Sequence, residues 1–248
     1  MSTAFLPLNF YAERIASGVD GLIVDESKYI IVDKDSSAYK NGGEELSSDE
    51  KADLMESSTR NICRWLPKNE EDIKGICMIA HGMLEHAQNY HEFATKLALE
   101  NKFAVYAMDH FGHGESSGDS GFFTSYEMLV NEYIDLHHWI RSTQHNSKNL
   151  PCFLFGHSLG SMIVSAACNR IPNIKAVGLS ALPLDAGPGA ASLFGIRALY
   201  PLSQTSVAIP LLKFLSSIDP RGKGAPVFLE SCTSDEGKLE FSRSDFRR

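Results

Sequence analysis

The nine residues CFLFGHSLG, Cys152 to Gly160, join a short apolar run to a pentapeptide of the form G-x-S-x-G. The run predicts a buried strand, and apolar residues at helical spacing after it predict the inner face of a helix: Met162, Ile163, Ala166 and Ala167. A tight turn between strand and helix lifts a serine hydroxyl clear of the sheet edge, and it needs glycine where the two backbones come close. The stretch predicts Ser158 as a nucleophile, with Gly156 and Gly160 as the motif glycines; a buried structural serine is the alternative.

A second pentapeptide of the same form occurs earlier in the chain, as Gly114-Glu115-Ser116-Ser117-Gly118. No apolar strand immediately precedes it, and no helical stretch immediately follows. Because the nucleophile turn requires both neighbours, the context favours Ser158 over Ser116.

Short apolar runs alternate with amphipathic ones from Asn61 onward, a pattern typical of an α/β sheet. Each compact apolar run bounded by polar or turn residues predicts a strand, at residues 62–66, 76–80, 103–108, 152–155 and 176–179. Helical spacing predicts helices at residues 90–100, 125–141 and 159–170.

The turn after the strand at 76–80 begins His81-Gly82-Met83. A serine hydrolase of this kind draws one oxyanion donor from a backbone N–H in that loop and the other from the residue after the nucleophile. The sequence therefore predicts an oxyanion hole made by the N–H groups of Met83 and Leu159, with Gly82 as a further motif glycine. The alternative is an ordinary His-Gly turn.

Composition and residue spacing argue against a nucleic acid partner, a metal and an organic cofactor. With 23 Lys and Arg against 31 Asp and Glu, the formal net charge of −8 repels phosphate backbones, so we expect no nucleic acid partner. The five cysteines are widely spaced with no C-x-x-C pair, which indicates reduced thiols and a cytoplasmic location. His137, His138 and His145 have no partners at metal spacing, so neither a metal nor an organic cofactor is implied.

The first 58 residues differ from the rest of the chain. Apolar residues at 21–24 and 29–32 are expected to pair as two strands, and a polar, acidic stretch follows from Asp33 to Ser58. We predict an N-terminal extension at residues 1–58 that is partly flexible, and a core domain at residues 59–184.

Three ordered motifs resemble one family of α/β-hydrolases: HGMLEH from His81, DHFGHGES from Asp109 and GHSLG from Gly156. The family is the monoacylglycerol lipase and lysophospholipase group, also labelled serine aminopeptidase S33-like. The resemblance implies a mostly parallel sheet with helices on both faces, and cleavage of acylglycerol esters, a small lipid ester substrate, through an acyl-enzyme on Ser158. It also implies a structural role for residues 109–116. Leu84 departs from the pattern, because the family usually has a small residue there.

The resemblance further implies a cap after the core, which we place at residues 185–224. Residues 182–215 are apolar enough either to line an acyl-chain channel or simply to pack on the core. Prolines interrupt the uncharged stretch, so a membrane-spanning helix is not expected, and peripheral membrane contact there is an open alternative.

The family's catalytic residues follow the chain order Ser, Asp, His. All nine histidines precede Ser158, and Asp235 is the candidate acid, the alternative being a surface acid in a solvated tail. We therefore expect residues 225–248 to be an incomplete C-terminal segment, with the last strands and helix missing, and this chain to be weakly active or inactive. The competing hypothesis is a non-catalytic homologue that binds acyl lipid or protein.

Overall fold

The computed structural model describes residues 3–13, 21–33, 59–123, 125–143 and 149–183. Seven strands lie in these ranges: β1 (Thr3–Glu13), β2 (Leu22–Asp33), β3 (Thr59–Pro67), β4 (Gly75–Ala80), β5 (Phe103–Met108), β6 (Cys152–His157) and β7 (Ile174–Ser180). Three α-helices accompany them: α1 (His91–Glu100), α2 (Tyr126–Thr143) and α3 (Leu159–Ala167). Short 3₁₀ turns occupy Glu70–Asp72 and Ala87–Tyr90.

The seven strands form one sheet in the order β1-β2-β3-β5-β4-β6-β7. Strands β5, β4, β6 and β7 run parallel, whereas β1, β2, β3 and β5 pair antiparallel in succession. Parallel neighbours need long crossovers, which here contain the helices. The carboxyl ends of β4 and β6 consequently lie side by side, with Ala80 paired to Gly156.

Helices pack on both faces of the central strands, because alternate residues of each strand point to opposite sides. On β4, Ile76, Met78 and Ala80 join a buried cluster with α2 and α3, while Cys77 and Ile79 join another with α1. Small side chains let α1 approach closely, since Ala94 and Ala98 are fully buried. The predicted α/β fold, with a mostly parallel sheet and helices on both faces, is confirmed.

The five predicted core strands are all present, with ends that lie up to three residues from the predicted ones. The predicted pairing of residues 21–24 with 29–32 is wrong, because both runs belong to the single strand β2. The polar residues between them do not form a turn, since each has a partner on β3. Asp25 forms an ion pair with Arg64, and Glu26 accepts a hydrogen bond from the Asn61 amide.

Buried thiols in the described ranges are free, as the spacing predicted for reduced cysteines. Burial raises the pKa of Cys77 to about 12 and that of Cys152 to about 11, so both stay protonated and unreactive at neutral pH. Among the described residues, no helix combines the length and apolar character that crossing a membrane requires.

Several predictions concern residues outside the described ranges. They are the cap-like segment at 185–224 and the incomplete C-terminal segment at 225–248 with Asp235. They stay predictions, as does the division of the chain at residue 59.

Candidate active site

Ser158 stands at the junction of β6 and α3, in the turn that the sequence predicted. Its φ of 49° and ψ of −116° lie outside the regions that residues with a β-carbon ordinarily adopt. The Ser158 N–H donates to the carbonyl of Ser180 at the end of β7, at 2.9 Å. The residue is half-buried, so the strained backbone presents a partly exposed side chain.

The two motif glycines are required by backbone contacts. A β-carbon at Gly156 would lie 2.3 Å from the carbonyl oxygen of Gly160, and one at Gly160 would lie 2.0 Å from that of Ala80. Neither backbone can withdraw, because Ala80 ends a central strand and Gly160 lies in the first turn of α3. Only glycine therefore fits at either position.

Helix α3 begins directly at the elbow. The Ser158 carbonyl accepts from the Ser161 N–H at 3.0 Å, the Met162 N–H at 3.3 Å and the Ser161 hydroxyl at 2.6 Å. Leu159 is the first residue of the helix, so its N–H has no acceptor within the helix. Such an amide is suited to stabilising negative charge next to Ser158.

The loop after β4 is anchored by a pair of buried histidines. His81 Nδ1 donates to the Gly82 carbonyl at 2.8 Å, and His81 Nε2 accepts the His110 N–H at 2.9 Å. Burial lowers the pKa of His110 to about 3 and also lowers that of His81, so both rings are neutral. Neutral rings can accept and donate in the pattern observed, which joins this loop to the one after β5.

Residues Gly82 to Glu85 form a tight turn, closed by a 3.3 Å hydrogen bond from the Glu85 N–H to the Gly82 carbonyl. Leu84 occupies the left-handed region with φ of 59°, which favours glycine and costs a leucine about 1–2 kcal/mol. This is the position where the sequence departs from the family pattern. The side chain of Met83 is 41% exposed.

A single carboxylate oxygen connects this turn to the elbow. Glu85 Oε2 accepts the Gly82 N–H at 2.7 Å, the Tyr90 hydroxyl at 2.6 Å and His157 Nδ1 at 3.2 Å. His157 immediately precedes Ser158 in the chain. The loop after β4 and the turn at Ser158 are therefore joined by one acidic side chain.

The charges of this cluster shift the pKa of its members. Burial tends to raise the pKa of Glu85, but hydrogen bonds from His157 and Tyr90 and the charge of His157 outweigh it, and the pKa falls below its ordinary value. The hydrogen bond to Glu85 raises the pKa of His157 against the effect of burial. Burial and the charge of Glu85 raise the pKa of Tyr90, so its hydroxyl remains a donor.

A cavity of about 320 Å³ lies beside the elbow, at the lower end of the range for small-molecule sites. Its apolar wall consists of Tyr90, Phe93 and Phe155, with the Phe93 and Phe155 ring centroids 4.9 Å apart. Its polar lining comes from Glu85, Asn89, His157 and Ser180. The cavity therefore combines an aromatic surface with the carboxylate that holds the loop.

Ser116 has a different environment. Its hydroxyl donates to the Asp109 carbonyl at 2.7 Å and accepts the Asn61 N–H at 2.9 Å. The Asp109 carboxylate in turn accepts from Ala87, Asn61 and Glu115. Residues 109–116 thus form a hydrogen-bonded scaffold, in agreement with the structural role that the resemblance implied.

The described ranges contain eight of the nine histidines, His145 being the exception. No hydrogen bond joins any of these eight rings to Ser158; His157 faces Glu85, and His81, His110 and His113 bond to backbone groups. Nor do three metal-binding side chains come together anywhere in the described part of the chain.

Most of the predicted site residues fall in two adjoining turns. Gly156, Ser158, Leu159 and Gly160 form the elbow, and a β-carbon on Gly82 would lie 3.1 Å from His157 Nδ1. Asp235 lies outside the described residues, and the catalytic roles of all these residues stay predictions. The motifs in the sequence predicted no role for Glu85, Tyr90 or His157. A signal was present, since Glu85 and His157 both stand inside the motifs that carried the resemblance.

The parallel strands β4 to β7, the helices on both faces and the strained elbow define an α/β-hydrolase. The profile of the family described as Hydrolase_4, serine aminopeptidase S33, matches residues 71–241. The chain belongs to this family, which confirms the resemblance drawn from the three motifs.

Relatives agree with this assignment. The chain is 31% identical to a monoglyceride lipase of Rattus norvegicus over 164 residues, 65% of this chain and 52% of that protein. It is 33% identical to a monoacylglycerol lipase of Mycolicibacterium smegmatis over 108 residues, 44% of this chain and 36% of that protein. The chain thus spans about half the length of its rat relative.

The crystal structure of a soluble variant of monoglyceride lipase from Saccharomyces cerevisiae, in complex with a substrate analog, superposes with a TM-score of 0.59 at 20% identity. That match covers 76% of this chain and 59% of the yeast one, and supports the fold.

Proposed function

We propose that this chain carries the nucleophile and oxyanion hole of a serine ester hydrolase that acts on acylglycerols. The observation that carries the proposal is the elbow at Ser158, where a non-glycine residue is held at φ of 49° between a strand and a helix. Strain of this kind persists only where the surrounding structure enforces it, and it is concentrated at functional sites.

In the proposed reaction, Ser158 Oγ attacks the ester carbonyl while a general base takes the hydroxyl proton. The N–H groups of Met83 and Leu159 stabilise the oxyanion that forms. The intermediate collapses to an acyl-enzyme, the alcohol leaves with a proton, and water then releases the fatty acid by the same two steps. No cofactor takes part. The proton of the Ser158 hydroxyl needs a general base that is not one of the eight described histidines.

The proposed substrate is a small lipid ester. Support comes from the names of the rat and mycobacterial relatives and from the aromatic wall of Tyr90, Phe93 and Phe155. The free thiols in the described ranges support a cytoplasmic location, because disulfides form mainly in oxidising compartments. Peripheral membrane contact through residues 182–215 stays a prediction.

The test uses chain 1–248 with a fluorophosphonate, and separately with a long-chain monoacylglycerol, each with and without imidazole as an external base. Peptide mapping locates the adduct, and fatty acid release measures turnover. We expect slow reaction without imidazole and faster reaction with it, both lost in Ser158→Ala. Ser165→Ala is the matched control, since Ser165 lies on the same helix and its hydroxyl donates to the Ser161 carbonyl at 2.7 Å.

An adduct that persists in Ser158→Ala, or no adduct under either condition, would overturn the proposal. Saturable binding of the monoacylglycerol without any adduct would instead favour the non-catalytic lipid-binding homologue.

A further inference from the structure

The acidic residue of the oxyanion loop has a geometry that its position in the sequence did not suggest. Glu85 ends the turn that contains Met83, and its Oε2 atom accepts from the first residue of the same turn, Gly82. The same atom also accepts from Tyr90, at the end of the 3₁₀ turn, and from His157 on β6. One oxygen therefore determines how the turn lies against the elbow.

We infer that Glu85 is a positioning residue: its carboxylate ties the turn at Gly82 to Glu85 to His157, and thereby sets the direction of the Met83 N–H beside Ser158. This inference rests on the proposed function, because it assigns a role in building the oxyanion hole. Glu85 does not hydrogen-bond to Ser158, and it acts through the backbone of the loop.

The contacts leave the loop little freedom. A β-carbon at Gly82 would lie 2.9 Å from Glu85 Oε2 and 3.1 Å from His157 Nδ1. The Gly82 backbone, the Glu85 carboxylate and the His157 ring therefore pack closely together. Hydrogen bonds to an ionised carboxylate are roughly twice as strong as neutral ones. The lowered pKa of Glu85 keeps that carboxylate ionised at neutral pH.

Without this carboxylate, the backbone of the turn has an easy alternative. Leu84 is held in the left-handed region, which a leucine leaves readily when nothing holds it there. A change of φ at Leu84 opens the turn from Gly82 to Glu85, which shifts the preceding Gly82–Met83 peptide and turns its Met83 N–H away from the oxyanion. An oxyanion hole depends on the direction of its donors, so such a rotation removes one of them.

The test compares Glu85→Gln with the wild-type chain, and uses Glu92→Gln as the matched control. Glu92 is exposed in the first turn of α1 and is close to Glu85 in sequence. Four quantities are measured: amide hydrogen exchange at Gly82, the His157 pKa by NMR, and the rate constant and half-saturating concentration for phosphonylation of Ser158 with imidazole present.

In Glu85→Gln we expect exchange at Gly82 to rise about tenfold, as for the loss of its one charge-assisted hydrogen bond. We expect the His157 pKa to fall, and phosphonylation to slow by about 10-fold or more at an unchanged half-saturating concentration. A residue with only a structural role would not separate the rate constant from binding. Glu92→Gln should alter none of these quantities.

Unchanged phosphonylation in Glu85→Gln would overturn the inference. If the wild-type chain is not phosphonylated at all, the proposed function fails, and the exchange rates then decide whether Glu85 orients the loop. Equal exchange at Gly82 in the two chains would overturn it in that case.

Discussion

Two stretches of this chain have the form G-x-S-x-G, residues 114–118 and residues 156–160. Their serines have different environments in the structure. The Ser116 hydroxyl donates to the Asp109 carbonyl and accepts the Asn61 N–H, so it stabilises a loop. Ser158 is held at φ of 49° between β6 and α3, and its backbone, not its hydroxyl, makes the structural contacts.

The glycines differ in the same way. Gly160 is required because its neighbour is the backbone of a central strand, with the Ala80 carbonyl oxygen 2.0 Å from where a β-carbon would lie. Gly118 is required because its φ is 109° and its nearest neighbour is the ring of Phe111. The pentapeptide alone therefore does not identify a nucleophile; the strand before it and the helix after it do.

The largest effect is expected for Gly160→Ala. The added methyl group would overlap backbone atoms of Ala80 and His81, neither of which can move without breaking the sheet. We expect a loss of more than about 4 kcal/mol of unfolding free energy, or failure to fold. Urea denaturation followed by circular dichroism measures it.

Alanine substitution at two further glycines should reduce the unfolding free energy by smaller amounts. Gly118→Ala meets the Phe111 ring and a strained φ, so we expect about 1–3 kcal/mol. The β-carbon of Gly178→Ala on β7 would lie 3.1 Å from the Phe155 ring and at ordinary contact distance, 3.9 Å, from the Leu154 carbonyl oxygen, so the substitution should change stability by less than about 1 kcal/mol. If Gly160→Ala were as stable as Gly178→Ala, the close packing of the elbow against β4 would be disproved.

The core of the fold could be predicted from sequence because its strands are uninterrupted apolar runs. Strand β5 was predicted at its observed bounds, since Phe103 to Met108 has polar residues on both sides. Strand β2 could not be predicted as one element, because Asp25 and Glu26 interrupt it and their partners lie on β3, more than thirty residues away in sequence. Pairing over such distances leaves no local signal.

In the candidate site, too, local features could be predicted from the sequence, whereas contacts that depend on strand pairing could not. The strand-turn-helix context predicted the turn at Ser158 and its two glycines, Gly156 and Gly160, because the steric demand is local to the motif. The role of Glu85 was not predictable, since it depends on His157 being brought beside it by the pairing of β4 with β6. No sequence pattern gives the direction of a carboxylate oxygen.

The ion pair beside Ser158, between His157 and Glu85, makes a smaller contribution to stability, which depends on pH. His157 has a raised pKa, so its contribution to stability is complete below the ordinary histidine value and is lost as the pH rises through its folded pKa. Glu85 has a lowered pKa, so its contribution is complete above the ordinary glutamate value and is lost as the pH falls through its folded pKa. The pair therefore contributes most between those two ordinary values.

We expect His157→Ala to reduce stability most in that acidic window and less above neutral pH. The effect should stay below about 1 kcal/mol, because both side chains are about one third exposed. Urea denaturation at several pH values measures it, and the pH-dependent part should vanish in a Glu85→Gln background. A loss that is equally large at pH 5 and pH 8 would contradict the assignment of the ion pair.

The contrast between the two serines is tested most directly by the unfolding free energies of Ser116→Ala and Ser158→Ala, measured side by side. Ser116→Ala leaves the Asn61 N–H and the Asp109 carbonyl without their partner, and should cost about 1–3 kcal/mol. Ser158→Ala should stay within about 0.5 kcal/mol of the wild-type chain, because in the proposed function its hydroxyl serves reaction and not folding. Equal losses, or a larger loss for Ser158→Ala, would contradict the account.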